Sequence, residues 1–394
     1  MPDGVKKNMQ SGNETGTDYQ KIENISQLQD FARVLEKENI IAVDLEADSM
    51  YHFREKVCLI QMATSKMTRI IDPLRVQKLS ALKPVFANPA IKKVFHGADY
   101  DVRSLYRDFQ IEIRHLFDTQ LASMFLGKKE TSLAAVLQQR FRIGLNKKYQ
   151  RKDWSARPLP EPMYHYAAAD VRYLIPLSAI LETELRKKGR LSWVIEECEY
   201  LSHVRPASDN NKPLFHSFKG AGRLDRRSLA VLEALLRYRR DMARKKDKPL
   251  FKVLSNQRLM ALAKAKPESL PQLNPKGLLS PKQAQIHGTA LVEAIKQAMQ
   301  VPEKRLPIYP RKKAPRLTPG VPGRIRKIKT WRDTKAQTLN MDPGLLINKA
   351  LIQTIATKNP HSQKDFEGIP EMKRWQHRTF GREILTLLKN GKQA

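Results

Sequence analysis

IIAVDLEAD, residues 40–48, runs four apolar residues into Asp44, Leu45 and Glu46. In a β-strand, residues i and i+2 point to the same face. Asp44 and Glu46 therefore stand together at the end of a buried strand. Two carboxylates on one face repel each other unless a cation sits between them. Hard divalent cations such as Mg²⁺ favour this oxygen-rich setting. A plain strand running into a polar loop would carry the same letters, so the pair needs support from elsewhere.

Two later stretches supply it. In KKVFHGADYDVRSL, residues 92–105, Val94 and Phe95 read as a short buried strand and His96-Gly97 as a turn. A helix follows with Asp101 in its first turns and Val102, Leu105 and Phe109 on its apolar stripe. In MYHYAAADVRYL, residues 163–174, Tyr166 and Asp170 are four apart and share a helix face. Each helix alone has a plainer reading, Asp101 as an early-turn charge favoured by the dipole and Tyr166 as core. Together the order is D-x-E, then D, then Y-x-x-x-D.

That constellation resembles the DEDD superfamily of 3′-5′ exonucleases in its tyrosine-bearing branch, and within it the ribonuclease D family. HGADYD (96–101), FDTQLASMFLG (117–127), SLAAVL (132–137), KDWSARPLP (152–160) and YAAADVRYL (166–174) carry the resemblance, which covers roughly residues 25–205. It implies a ribonuclease H-like α/β domain, a mixed sheet covered by helices. It also implies two-metal hydrolysis that releases nucleoside 5′-monophosphates from RNA 3′ ends. The metals would be two divalent cations per site, Mg²⁺ or Mn²⁺. Asp44 would bridge both. Glu46 and Asp170 would complete the site of the ion holding the water, and Asp101 would support the second. Tyr166 would orient the attacking water. A base role for its phenol would need a lowered pKa. Asp48, Asp99, Asp108 and Asp118 lie outside the motif and read as surface or capping groups.

Charge divides the chain. It carries 72 basic and 40 acidic residues, net +32. Residues 1–214 hold 33 basic and 27 acidic, or +6; the remainder holds 39 and 13, or +26. A near-balanced front and a basic back suggest chemistry ahead of polyanion binding. RNA is the expected partner and tRNA precursors the expected substrate. No membrane partner is expected, since no basic amphipathic helix with a wide apolar face stands out. Cys58 and Cys198 permit no disulfide framework. Without a signal peptide or a long apolar run, the reading is a soluble cytoplasmic protein that needs no oligomer.

In chain order, residues 1–20 are polar and expected to be disordered, and 21–205 form the exonuclease domain. Ser26 reads as a helix N-cap, with Gln29 closing a capping box. Strands are expected at 39–44, 56–63 and 68–72 as an antiparallel meander, a helix at 76–86, a strand at 92–95, a helix at 99–109 and a strand at 115–117. The basic loop 146–160 precedes the Tyr166 helix, and Lys152, Trp154 and Arg157 are its candidate contacts to the substrate strand. Trp154 as core is an equal reading.

Residues 206–220 read as a linker and 221–300 as a small helical module resembling an HRDC domain. The linker at 301–323 has six prolines. Its Arg311, Lys312, Lys313 and Arg316 read as a solvated charge run ahead of a nuclear signal. KPLFKVLSNQRLMALA (248–263) is echoed by DPGLLINKALIQTIA (342–356), which marks 324–391 as a second HRDC-like module. Trp331, Trp375 and Phe380 read as its core. A nuclease domain with two such modules is the arrangement of bacterial ribonuclease D. The rival readings are a DNA exonuclease of the same fold, a catalytically silent RNA-binding scaffold, and a subunit active only in a larger assembly.

Overall fold

The computed structural model describes residues 19–206, 212–273, 277–310 and 318–389. The expected disorder at the N-terminus falls on residues that lie, but for the last two, outside this range, as do Arg311, Lys312, Lys313 and Arg316. The described chain forms two compact units.

The first unit opens with β1 (Gln20–Ile22), α1 (Ile25–Leu35), β2 (Ile40–Ala47), β3 (Val57–Ala63) and β4 (Thr68–Ile71). Then come α2 (Pro73–Val76), α3 (Lys83–Ala87), β5 (Lys92–Phe95), α4 (Asp99–Phe109) and β6 (Leu116–Asp118). Five helices follow: α5 (Thr119–Phe125), α6 (Leu133–Phe141), α7 (Glu161–Arg172), α8 (Leu174–Lys187) and α9 (Leu191–Ser202). The six strands form one sheet in the order β1-β4-β3-β2-β5-β6. β3 and β4 are antiparallel, whereas β2, β5 and β6 run parallel and β1 runs parallel to β4. This is the expected mixed sheet, with helices covering it. β3 is buried at every position, as a strand covered on both faces must be.

Three local expectations are corrected. Ser26 does not cap α1; Asn24 does, accepting the Gln27 N–H at 2.9 Å, while Gln27 Oε1 accepts the Glu23 N–H. Gln27 thus reaches past the cap to the residue before it, and the expected Ser26–Gln29 box does not form. The helix expected at 76–86 is broken, because Gln77 takes a left-handed φ of 62° after α2 and the chain restarts at Ser80. β1 is an additional edge strand that its three residues did not announce.

The second unit contains residues 47–56 and the first helical module. The module has α10 (Arg226–Lys245), α11 (Leu250–Val253), α12 (Asn256–Ala265) and α13 (Pro281–Met299). Its core is Leu229, Leu232, Leu235 and Leu236 of α10 with Leu259, Leu262, Leu291 and Ile295. Ser255 caps α12, its side chain accepting the Arg258 N–H. Residues 47–56, which continue from the end of β2, pack on it: Asp247 accepts from the Phe53 N–H at 3.1 Å, pairs with His52 at 2.7 Å, and Lys252 lies over the Tyr51 ring.

The second helical module belongs to the first unit. It comprises α14 (Val321–Leu339), α15 (Pro343–Leu346), α16 (Lys349–Lys358) and α17 (Arg374–Lys389). Trp375 and Phe380 are buried in its core, and Trp331 packs against them. Trp375 also stacks on Trp193 of α9 at 4.8 Å, so this core continues into that of the exonuclease domain. No helix among the described residues is long and apolar enough to cross a membrane.

Candidate active site

The carboxylates gather where the parallel strands end. β2 alternates as required: Leu45 is buried, and Asp44 and Glu46 on the other face are half-buried. α7 brings Asp170, buried, across from them. One carboxylate oxygen from each of Asp44, Glu46 and Asp170 lies within 4.8 Å of the others. Asp101, in the first turn of α4, is buried beside this trio without joining it. No ion pair among the described residues links any of the four to a lysine or arginine.

Like charges without a counter-ion hold protons. Burial pushes Asp44 up to about 7, against the pull of the Leu45 backbone N–H. Burial and then the Asp44 charge push Asp170 up to about 8. Glu46 is raised well above the carboxylate range by burial, then by Asp44, Asp170 and Asp101. Asp101 is raised by burial, Asp44 and Asp118. Tyr166 donates a hydrogen bond to Asp170, and its phenol is raised by burial and by Asp170, Glu46 and Asp44. A phenol in that setting is protonated at neutral pH.

This donor set fits a hard divalent cation. Three carboxylates at coordinating separation, all with destabilised charged forms, gain from one and lose their mutual repulsion. The acidic cluster is thus of a kind that holds divalent metal ions.

The trio lines a cavity of about 320 Å³, with Tyr166 in its wall. His96, Gln120, Ser132, Asn146, Lys147 and Gln150 complete its polar lining. Of the loop 146–160, expected to contact the substrate strand, Lys152, Trp154 and Arg157 do not line this cavity. Trp154 is 1% exposed and packs against Tyr166 at 6.0 Å, so it is core and offers no face to a base. Arg157 is occupied too. Its guanidinium pairs with both Asp72 oxygens at 2.7 and 2.9 Å and donates to the carbonyls of Cys58, Trp154 and Ala156. Lys152 is exposed and does not line the cavity. Asn146, Lys147 and Gln150 are the residues of the loop that do; the K-x-x-Q spacing puts 147 and 150 one turn apart and was the available signal.

Of the four aspartates outside the motif, Asp118 caps a helix and Asp99 is exposed, as expected, whereas Asp48 is fully buried and Asp108 is part-buried. Asp118 caps α5 and accepts the Gly97 and Ala98 N–H groups at 2.9 and 2.8 Å. Asp99 pairs with Arg103, Asp108 accepts the Val57 N–H, and Asp48 accepts the Lys56 N–H.

A 3′-5′ exonuclease family model matches residues 19–186, and an HRDC domain model matches 228–295 and again 322–388. Ribonuclease D of Escherichia coli is 30% identical over 290 residues, covering 73% of this chain and 77% of that protein. The chain belongs to the ribonuclease D family. The crystal structure of E. coli RNase D, described as an exoribonuclease involved in structured RNA processing, matches with a TM-score of 0.72 at 26% identity. That match covers 95% of this chain and 99% of the other. Protein RRP6-like 3 of Arabidopsis thaliana is 41% identical over 175 residues, 44% of this chain. The chain spans 20% of that plant protein's length and 34% of RRP6-like 2's. Ribonuclease D family membership thus rests on both the exonuclease domain and the two HRDC domains.

Proposed function

We propose that the protein is a metal-dependent 3′-5′ exoribonuclease that removes nucleoside 5′-monophosphates one at a time from RNA 3′ ends, with tRNA precursors among its substrates. The observation that carries this reading is the carboxylate trio, with one oxygen of each within 4.8 Å of the others, in the wall of a cavity it shares with Tyr166. Asp44, Glu46 and Asp170 would hold one divalent cation, and Asp44 with Asp101 a second; Mg²⁺ is the abundant candidate. Cations bound there neutralise charge growing on the scissile phosphate and make water more acidic.

The chain's own residues do the rest. Asp44 and Glu46 are fixed by the strand, so the phosphate meets a preformed site. Tyr166 keeps its proton and, anchored to Asp170, orients the attacking water by hydrogen bonding. Lys147 brings positive charge to the cavity rim, where the phosphate enters. The basic helical modules grip the folded RNA body through phosphates and shape.

The test is a 3′-extended tRNA and a DNA strand of matching tail, incubated with wild type in Mg²⁺ or chelator and resolved on a sequencing gel. A metal-dependent ladder shortening from the RNA 3′ end is expected. Equal or faster shortening of DNA would replace the RNA assignment with a DNA exonuclease; binding without shortening would favour the scaffold.

A further inference from the structure

A second cavity, of about 640 Å³, lies in the first unit where the exonuclease domain meets the second helical module. Lys128, Lys129 and Thr131 form one wall and Met341, Asp342 and Leu345 the other. The junction is built to stay closed. Arg190, 5% exposed, donates to Phe125 O at the end of α5 and to Leu339 O at the end of α14, each at 2.8 Å. Gly127 has φ +83°, and a Cβ there would meet Asn340 O at 1.9 Å, so only glycine allows the two backbones this close.

One short segment of chain contributes to both cavities. Thr131 lines the larger cavity and the next residue, Ser132, lines the smaller. Gln120, in the wall of the catalytic cavity, donates to Thr131 O at 3.4 Å. The larger cavity has twice the volume of the smaller. If the catalytic cavity takes one nucleotide, its neighbour has room for the two before it. The lining suits that guest: two ammonium groups for phosphates, and the apolar Met341 and Leu345 for base faces. Asp342 does not oppose this directly, because one of its oxygens is engaged by the Gly344 N–H at 2.7 Å.

We propose that this cavity is a subsite for single-stranded RNA, holding the two nucleotides upstream of the one removed, with its far wall supplied by the second helical module. The proposal rests on the exonuclease reading. It makes the second module part of the substrate channel next to the site, in addition to any grip on the RNA body.

Two measurements test it on the full-length protein. The first compares kcat/KM on a dinucleotide with a free 5′ hydroxyl, whose single phosphate is the scissile one, and on a five-nucleotide strand. Lys128→Ala combined with Lys129→Ala should lose about tenfold on the longer strand, as expected for two weakened phosphate contacts, and less than twofold on the dinucleotide. Equal loss on both substrates, or none on the longer, would overturn the subsite. Absence of wild-type activity on both would instead refute the exonuclease reading. The second uses inert Asp44→Asn protein and RNA carrying 4-thiouridine two or three positions from the 3′ end. Crosslinks should map to residues 124–131 and 340–345; crosslinks confined to other segments would overturn the proposal.

Discussion

Two acidic clusters sit in the same unit and have opposite fates. On α9, Glu196 accepts the Arg374 and Trp375 backbone N–H groups at 2.7 and 3.0 Å, so it caps α17 from outside. Glu197 accepts the Trp375 indole N–H and pairs with Lys373, and Glu199 pairs with Arg374. Every negative charge there meets a donor from the second module. In the cavity, Asp44, Glu46 and Asp170 have one another as their main electrostatic company. The first cluster is an adhesive between a domain and its neighbour. The second is electrostatic strain that the fold keeps, which makes sense if a cation from solution relieves it. Acidic residues alone do not mark a metal site; acidic residues that the protein declines to neutralise do.

Neutralising one member of each cluster should separate the two. Asp44→Asn should lower turnover by roughly a thousandfold or more, since it removes the central ligand. The same change should leave the metal-free protein as stable or more stable in urea, because it deletes repulsion. An active Asp44→Asn enzyme would break the contrast. Tyr166→Phe should cost less, about ten- to a hundredfold in kcat, if orientation of water is its role; a loss matching that of Asp44→Asn would give the phenol a larger part.

Glu196→Ala should do the reverse of Asp44→Asn. It strands two backbone N–H groups at the start of α17 and should destabilise the protein by about 2–3 kcal/mol, read as a lower urea midpoint. Turnover of a dinucleotide should change less than about twofold, since the site itself is untouched. A large loss on the dinucleotide would mean the two clusters are coupled.

The smallest effect sharpens the comparison through pH. Asp44 and Asp170 have folded values of about 7 and 8, above their ordinary 3.8. Their raised values favour the protonated folded state, so their contribution is full below pH 4 and is lost as pH rises to about 8. In chelator, stability should therefore fall across that window relative to Asp44→Asn by on the order of a kcal/mol or more. Added Mg²⁺ should restore more at pH 8 than at pH 5.

The site was legible in the sequence because its signals are local. D-x-E reads as a pair through strand alternation, Y-x-x-x-D through helix spacing, and Asp101 through its place after the HG turn. The fold class followed from the order of strands and helices. What escaped depends on partners far along the chain. Arg157 looked like a phosphate ligand because Asp72, 85 residues away, is silent in the letters around it. Trp154 gave no sign of which way it faced. β1 exists because β4 offers it an edge, and Trp375 serves two cores because α9 lies against α17. The repeat announced two similar modules, yet nothing in it foretold that they would fall into different compact units.

The most direct measurement is a calorimetric titration of Mn²⁺ into metal-free protein near pH 7, run on wild type, Asp44→Asn and Glu196→Gln. Wild type should bind with release of protons, since carboxylates held partly protonated must give them up to the metal. Glu196→Gln should match it, and Asp44→Asn should lose most of the affinity and the proton release. Undiminished binding by Asp44→Asn, or binding lost in Glu196→Gln, would contradict the claim that the cavity cluster is the one kept for a cation.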